Sequence, residues 1–190
     1  MKVHKVTYGS RVNGPGLRNV LHTQGCSVKC SGCFNVHTWD PSKGDEFSPS
    51  TIVEILLANG PVDGVTISGG EPTDQWPEIK QVLKGVREGG QSVVMFTGRS
   101  REQLVELGYW GDIEQLTDIV VAGPYVKSKH LNGEPLRGSA NQVVYFHGEY
   151  TEKDLESVPE VEVHIDGDTV TVAGFPTKET RTTLLREIRG

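Results

Sequence analysis

The chain has 190 residues, 35% of them hydrophobic and 23% charged, with a formal net charge of −6. This length suits one domain of ordinary size, and the acidic balance disfavours a nucleic-acid partner held by phosphate contacts. Since no run of about 18 apolar residues exists and Met1–Lys5 carries no apolar signal segment, we expect a cytoplasmic protein without a membrane partner.

The first predicted strand, residues 17–23, leads directly into a segment that holds every cysteine of the chain. Cys26, Cys30 and Cys33 have the spacing C-x3-C-x2-C. Three thiols this close together, in a chain without a secretory signal, indicate a metal or cluster site and not a disulfide framework. Three thiolates can hold three irons of a 4Fe-4S cluster, which leaves the fourth iron open to an outside ligand.

A structural zinc site is an alternative that this spacing leaves open. His37 follows Cys33 by four positions, so a Cys3His tetrahedron is chemically possible. In that alternative the cysteines belong to a module without catalytic activity. A His37 that simply faces solvent is the other interpretation of this residue.

Downstream of the cysteines, predicted helices and strands alternate along the chain. Ser48 before Pro49 is typical of a helix start, Gly60 is typical of a helix end, and Ser100 is a predicted cap. The predicted elements are, in order, a helix over 51–58, a strand over 62–67, a helix over 77–88, a strand over 92–96, a helix over 100–107 and a strand over 118–121. This alternation predicts an α/β fold with a parallel sheet and right-handed crossovers.

The carboxyl ends of four predicted strands carry residues that suit a ligand site. These ends are the cysteine loop, Ser68–Pro72, Thr97–Arg99 and Ala122–Pro124. Ligands of parallel α/β folds gather at the carboxyl ends of the strands. Turn chemistry alone explains any one of these segments, but four at equivalent positions indicate one site on a partial (β/α) barrel.

The cysteine motif followed by Ser68-Gly69-Gly70-Glu71-Pro72 resembles the radical S-adenosylmethionine superfamily. A narrower resemblance, to the activating proteins of anaerobic ribonucleoside-triphosphate reductases, covers roughly residues 6–147. It is carried by Val12–Arg18, Gln24–Cys26, Cys30–Asn35, Thr38–Trp39 and Arg137–Val144. The Asn-Gly-Pro-Gly part of the first segment is shared with pyruvate formate-lyase activases, so it discriminates less by itself.

This resemblance implies a radical mechanism. Cys26, Cys30 and Cys33 would hold a 4Fe-4S cluster whose open iron binds S-adenosylmethionine, and reductive cleavage would give a 5′-deoxyadenosyl radical. That radical takes the Cα hydrogen of a glycine in a partner, which the resemblance implies is anaerobic (class III) ribonucleotide reductase. A small protein such as flavodoxin is the implied electron donor. Another glycyl radical enzyme or a small-molecule substrate is the alternative.

The resemblance also implies which residues contact S-adenosylmethionine. We expect Glu71 or nearby carbonyls to accept from its ammonium group, and the Gly69-Gly70 pair to let the strand end approach its methionine moiety. The segment around Phe34 is expected to line the adenine, although a plain core aromatic is the alternative for Phe34. The full set is Gly32, Cys33, Phe34, Asn35, Ser68, Gly69, Gly70, Glu71 and Thr97.

A second set of residues is expected to contact either the partner or the cofactor. For Arg137 a structural salt bridge is the alternative, for Asn141 the pairing of buried backbone groups, and for Arg99 plain solvation. The set is Asn13, Arg99, Arg137, Ser139 and Asn141.

From Glu149 onward the resemblance fades, so we divide the chain into a radical S-adenosylmethionine core, 1–148, and a C-terminal extension, 149–190. Residues 161–173 predict a β-hairpin that turns at Asp166-Gly167-Asp168. Residues 177–189 predict a terminal helix with Leu184, Leu185 and Ile188 on one face. The alternatives for the extension are a cap over an edge of the sheet and a docking surface, either for this partner or for a different one.

Overall fold

The computed structural model describes residues 1–58, 60–166 and 169–187. The α-helices of this part are α1 (Pro49–Ala58), α2 (Trp76–Glu88), α3 (Arg101–Glu106), α4 (Trp110–Leu116), α5 (Glu152–Leu155) and α6 (Lys178–Glu187). The strands are β1 (Lys2–Ser10), β2 (Arg18–Thr23), β3 (Asp45–Glu46), β4 (Gly64–Gly69), β5 (Ser92–Thr97), β6 (Ile119–Ala122), β7 (Val143–Phe146), β8 (Val161–Asp166) and β9 (Thr169–Gly174). None of the described helices is long and apolar enough to cross a membrane.

Seven strands form one open sheet in the order β3-β1-β2-β4-β5-β6-β7. The four strands predicted from the alternating pattern, β2, β4, β5 and β6, are neighbours and run parallel. β1 and β7 flank them in the antiparallel direction. The prediction of an α/β fold with a parallel central sheet is therefore confirmed.

The two faces of the sheet bury separate apolar clusters. One face packs against helices, with Ile67 and Met95 of the sheet meeting Ile52 of α1 and Leu83 of α2. On the other face Val94 of β5 packs with loop residues and with side chains of β6 and β7. At the carboxyl ends of the parallel strands this second face opens into a cavity, described below.

Helix starts follow the sequence signals. Thr51 N donates to Ser48 Oγ at 3.1 Å at the start of α1. At α3, Ser100 and Gln103 form a capping box, in which each side chain bonds the backbone of the other. Gly60, the predicted end of α1, has a φ of 76°.

Arg18, at the amino end of β2, anchors the preceding glycine-containing loop beneath the sheet. Its side chain is fully buried. Nε donates to Thr66 Oγ1 at 2.9 Å, Nη1 to Pro15 O at 3.0 Å, and Nη2 to Val65 O at 2.9 Å and Ser92 O at 3.0 Å. One guanidinium thus joins the loop to the amino ends of three strands.

The predicted C-terminal hairpin and helix are both present. β8 and β9 pair in an antiparallel register from Val161↔Gly174 to Asp166↔Thr169 and form a separate two-stranded sheet. As far as the hairpin is described, it therefore pairs with neither edge strand of the large sheet. Gly167, Asp168, Ile188 and Arg189 lie outside the described residues, as do the side chains of Leu184 and Leu185. The division of the chain after residue 148 stays a prediction.

Candidate active site

The three cysteines lie on the loop after β2 and line one cavity of about 710 Å³. All three are half-buried free thiols. The start of this loop is tied to its end, because Gly25 N donates to Thr38 O at 2.8 Å and the buried Gln24 donates through Nε2 to Asp40 O at 2.8 Å. The cysteines therefore occupy a closed loop whose base is fixed by hydrogen bonds.

Backbone amides surround the cysteine sulfurs. Cys26 receives hydrogen bonds from amides of its own loop, Cys30 receives one from Tyr125, and Asn35 N donates to Cys33 Sγ at 3.3 Å. Burial raises the pKa of the Cys26 and Cys30 thiols, and the amide bonds oppose that shift because they favour the thiolate. Donors placed in this way also tune the potential of an iron–sulfur cluster bound through these sulfurs.

The donor set fits a 4Fe-4S cluster. Complete ligation of such a cluster takes four ligands, and the chain has three cysteines, all on this cavity. In the described part of the chain, no three His, Cys, Asp or Glu side chains are grouped so that they could hold a single metal ion. His37, the fourth ligand of the zinc alternative, is exposed, and its ring centroid lies 4.8 Å from that of His4. His37 lines the same cavity as the cysteines, but the residues described form no grouped set of zinc ligands there.

The glycines at the end of β4 are required by contacts within the protein. A Cβ on Gly70 would lie 2.0 Å from Gly25 O, and one on Gly69, whose φ is +103°, would lie 2.4 Å from Thr23 N. Gly70 N donates to Thr23 O and Glu71 N to Gly25 O, each at 2.9 Å. Strand β4 thus ends directly against the chain that enters the cysteine loop. Both glycines also line the cavity, so their predicted approach to S-adenosylmethionine stays a prediction.

Glu71 is a fully buried carboxylate that accepts four hydrogen bonds. Its Oε1 accepts from Thr73 N at 3.0 Å, Thr73 Oγ1 at 2.6 Å and Thr97 Oγ1 at 2.8 Å, and its Oε2 accepts from Gly98 N at 2.7 Å. Both hydroxyls already accept from Arg99, so their own protons point to Glu71. Burial raises the pKa of Glu71, while these bonds favour the ionised form.

The position of Glu71 joins the ends of β4 and β5. Ser68, Gly69, Gly70, Glu71 and Thr97 all line the cavity, so these five predicted residues meet in one place. The predicted role of Glu71 as an acceptor for an ammonium group stays a prediction. The hydrogen bonds in the structure give it a second role, which is to hold two strand ends together.

Arg99 braces the cysteine loop from the end of β5. Its Nη2 donates to Asp74 Oδ1 at 2.7 Å and to Ser27 Oγ at 3.1 Å. Ser27 in turn donates to Asp74 through its backbone N at 2.6 Å and its hydroxyl at 2.7 Å. Arg99 is thus hydrogen-bonded within the protein and not merely solvated. It does not line the cavity. Its contact with cofactor or partner stays a prediction.

Phe34 lies at the mouth of the cavity and is 56% exposed, so the core-aromatic alternative is wrong. Its ring centroid is 5.1 Å from that of Tyr125 and 5.5 Å from that of Phe175. Asn35 also lines the cavity. Gly32, by contrast, is exposed outside the cavity lining, where a Cβ would lie 3.2 Å from Lys127 Cδ.

The second predicted set divides between the cavity and the scaffold. Asn13 lines the cavity, and its Nδ2 donates to Ser10 Oγ at 2.8 Å. Arg137 lies outside the lining and forms an ion pair with Glu134 at 3.3 Å. That is the salt bridge expected as the alternative for Arg137, although the pair is partly exposed and contributes at most about 1 kcal/mol.

Ser139 and Asn141 hold backbone near the cavity without lining it. Ser139 is fully buried, and its Oγ accepts from Val126 N at 3.1 Å. Asn141 Nδ2 donates to Pro124 O at 2.7 Å. These contacts match the alternative in which such residues pair backbone groups, and they fix the loop that carries Tyr125 toward Cys30.

Sequence reasoning missed two parts of the cavity. His22, on β2, lines it and bonds Thr7 Oγ1 at 3.2 Å. Burial, followed by the charge of Lys5, lowers the pKa of His22 to about 4, so it is neutral at pH 7. The other missed part is the C-terminal hairpin, which lines the cavity through residues that include His164 and Phe175. No motif surrounds His22. The one signal for its position is the alternation of side chains between the two faces of β2, which places it on the face of the cavity.

Comparison with known proteins gives one matching family and several similar proteins. The family described as 4Fe-4S single cluster domain matches residues 12–145. An anaerobic ribonucleoside-triphosphate reductase-activating protein from Enterobacteria phage T4 is 33% identical over 138 residues, covering 69% of this chain and 85% of that protein. A pyruvate formate-lyase-activating enzyme from Staphylococcus aureus (strain USA300) is 30% identical over 142 residues, covering 70% of this chain and 54% of that enzyme. The crystal structure of QueE from Escherichia coli aligns over 52% of each chain, with 18% identity and a TM-score of 0.44.

Proposed function

We propose a function for this chain from one premise: it belongs to the radical S-adenosylmethionine activases, within the family of 4Fe-4S single cluster domains. Such an enzyme activates a glycyl radical enzyme and uses a 4Fe-4S cluster with S-adenosylmethionine. We infer that the partner of this chain is an anaerobic ribonucleoside-triphosphate reductase, the substrate named for the phage relative. A small electron-transfer protein such as flavodoxin completes the proposed system.

The observation that carries this proposal is the meeting of two separate motifs in one cavity. The three cysteines follow β2, and Ser68–Glu71 follow β4, yet both line the same space of about 710 Å³. A cavity of this size accommodates a ligand of the dimensions of S-adenosylmethionine beside a cluster, because ligand sites typically measure about 300–1,000 Å³.

In this proposal the chain positions its cofactors and shields them. Cys26, Cys30 and Cys33 hold the cluster, and the amides around them stabilise its negative charge. When bound, the reduced cluster supplies the electron for cleavage of S-adenosylmethionine, the reaction from which hydrogen abstraction follows. Gly69 and Gly70 let the end of β4 pack directly against the chain that enters the cysteine loop. Glu71 holds the end of β4 to the end of β5 through its bond from Gly98 N.

The first test is anaerobic reconstitution with iron and sulfide, followed by dithionite and S-adenosylmethionine. We expect about four irons per chain and formation of 5′-deoxyadenosine. Cys30→Ala should lose both the cluster and the product, whereas the exposed neighbour Ser31→Ala should keep both. Product formation by Cys30→Ala would contradict the ligand assignment.

The partner is tested by electron paramagnetic resonance after the loaded protein is mixed with candidate enzymes. A glycyl radical signal on anaerobic ribonucleoside-triphosphate reductase, with none on pyruvate formate-lyase, is the expected result. The reverse pattern would assign the chain to the second enzyme, whose activase in Staphylococcus aureus is also a relative. Cleavage of S-adenosylmethionine with no radical on either enzyme would contradict both assignments.

A further inference from the structure

The C-terminal hairpin lies outside the residues that match the family, 12–145, yet it forms one wall of the cavity. His164 of β8 and Thr171 of β9 are directly opposite each other, and both line the cavity. Phe175, directly after β9, lines it as well. A segment that the family match does not include therefore contributes to the site where chemistry is proposed.

Specific bonds hold the hairpin across the cavity. Glu162 of β8 accepts from Ser10 Oγ at 2.8 Å and from Arg11 N at 3.3 Å. Ser10 Oγ also accepts from Asn13 Nδ2 at 2.8 Å, and Asn13 lines the cavity. His164 Nε2 lies 3.1 Å from Glu162 Oε2. A continuous polar chain thus joins the loop after β1 to the hairpin.

A second anchor lies at the end of β9. Gly133 N donates to Phe175 O at 2.8 Å, and the Phe175 ring lies 5.5 Å from that of Phe34, next to the third cysteine. The hairpin is therefore attached at both ends of the cavity mouth. A single two-stranded hairpin is marginally stable by itself, so these contacts explain how it keeps one position.

The opposite face of the hairpin is apolar and has no partner within the described part of the chain that buries it. Val163 pairs with Val172, and Ile165 pairs with Val170. These four side chains are 39%, 44%, 74% and 42% exposed, respectively. Side chains alternate between the faces of a strand, so the polar residues point to the cavity while the branched residues form a patch on the other side. Val163, Ile165 and Val170 lie outside the cavity lining, and Val172 borders both the patch and the cavity. Patches of this kind mark interaction surfaces.

Charge indicates what kind of surface can cover this patch. Residues 149–168 contain eight Asp and Glu and a single Lys. A second copy of this chain would bring two such acidic segments together, which costs free energy. A partner with an apolar centre and a basic rim is complementary instead.

We propose that the β8–β9 hairpin is the docking surface for the protein substrate of this activase. The Val163, Ile165, Val170 and Val172 face packs against the body of the glycyl radical enzyme, and the His164 and Thr171 face flanks its glycine-bearing segment inside the cavity. The assignment rests on the proposed function, since only an activase must admit a folded protein at this cavity. It gives the extension the task of selecting the partner.

The test compares two double variants of the full chain, each loaded with cluster. Ile165→Thr with Val170→Thr removes the exposed centre of the patch and keeps β-branched residues in the strands. Val105→Thr with Val143→Thr, at sites that are 53% and 47% exposed outside the hairpin, is the matched control. Two rates are measured: deoxyadenosine formation without a partner, and glycyl radical formation on anaerobic ribonucleoside-triphosphate reductase at increasing reductase concentration.

The hairpin variant should raise the KM for the reductase by about tenfold or more, as loss of central interface contacts does. Deoxyadenosine formation without reductase should equal that of wild type, because neither Ile165 nor Val170 lines the cavity, and this also shows that the variant is folded. A wild-type KM for the hairpin variant, or an equal rise in the control variant, would overturn the docking assignment alone. Wild-type protein that forms no deoxyadenosine or no glycyl radical would overturn the proposed function, and the docking assignment with it.

Discussion

The buried carboxylate of Glu71 offers the sharpest test of the site geometry. Glu71→Gln keeps the shape of the side chain but replaces one acceptor oxygen with a donor. If the remaining oxygen faces Thr73 N and the two hydroxyls, the new amide group faces Gly98 N, which can only donate. One charge-assisted bond is lost, the N–H of Gly98 and the new amide NH2 face each other without an acceptor, and three bonds weaken because their acceptor is neutral.

The expected cost is about 2–3 kcal/mol in the free energy of unfolding. Urea unfolding of the cluster-free protein at pH 7 under reducing, anaerobic conditions measures it. The exposed Glu114→Gln, on α4, serves as the control and should stay within about 0.5 kcal/mol of wild type. If Glu71→Gln is no more destabilising than Glu114→Gln, then Glu71 is protonated in the native protein. The inference that all four of its contacts are donors to a carboxylate would then be wrong.

Three further substitutions have expected outcomes that the same unfolding assay checks. Arg18→Lys should cost about 3 kcal/mol or more, because an ammonium group cannot satisfy the acceptors that surround the buried planar guanidinium; a loss below 1 kcal/mol would contradict this. Gly70→Ala should cost about 1–3 kcal/mol, since its Cβ would lie 2.0 Å from a backbone oxygen, whereas Gly111→Ala in α4 meets nothing within 4 Å and should be neutral or stabilising. In the folded protein the pKa of His22 is lowered from 6.5 to about 4. At pH 5 the unfolded chain therefore binds a proton that the folded protein does not bind. Between pH 7 and pH 5 the free energy of unfolding of wild type should fall by about 2 kcal/mol more than that of His22→Gln.

The parallel part of the sheet could be predicted because its signals are local. Strands β4 and β5 are short apolar runs bounded by glycines, and α2 places Ile79, Val82 and Leu83 on one buried face. The three cysteines lie in one short segment and the residues after β4 in another, so each motif indicates its chemistry without reference to tertiary contacts. These motifs were brought into one cavity by the register of the parallel strands, in which Thr23 pairs with Gly69.

The flanking elements could not be predicted in the same way. β1 has an irregularity between Val3 and Lys5, so Val3 and Val6 both pack toward the helices and the two-residue period is lost. β7 is four residues long, and its two faces contribute to different apolar clusters. Its sequence therefore shows no alternation of polar and apolar residues. α4 contains Gly111 and has no side-chain cap. Each of these elements depends on tertiary contacts that a local pattern does not carry.

The motif after β4 therefore does two things at once. Glu71 joins the ends of β4 and β5, and Arg99 connects the end of β5 through Asp74 to Ser27 of the cysteine loop. Any change at Glu71 alters a brace that ends beside Cys26, in addition to any contact with S-adenosylmethionine. A loss of activity in Glu71→Gln consequently reports a lost cofactor contact only if iron content is unchanged while the affinity for S-adenosylmethionine falls. A parallel loss of iron would instead assign the effect to the loop, because the cysteines would no longer be held at the cavity.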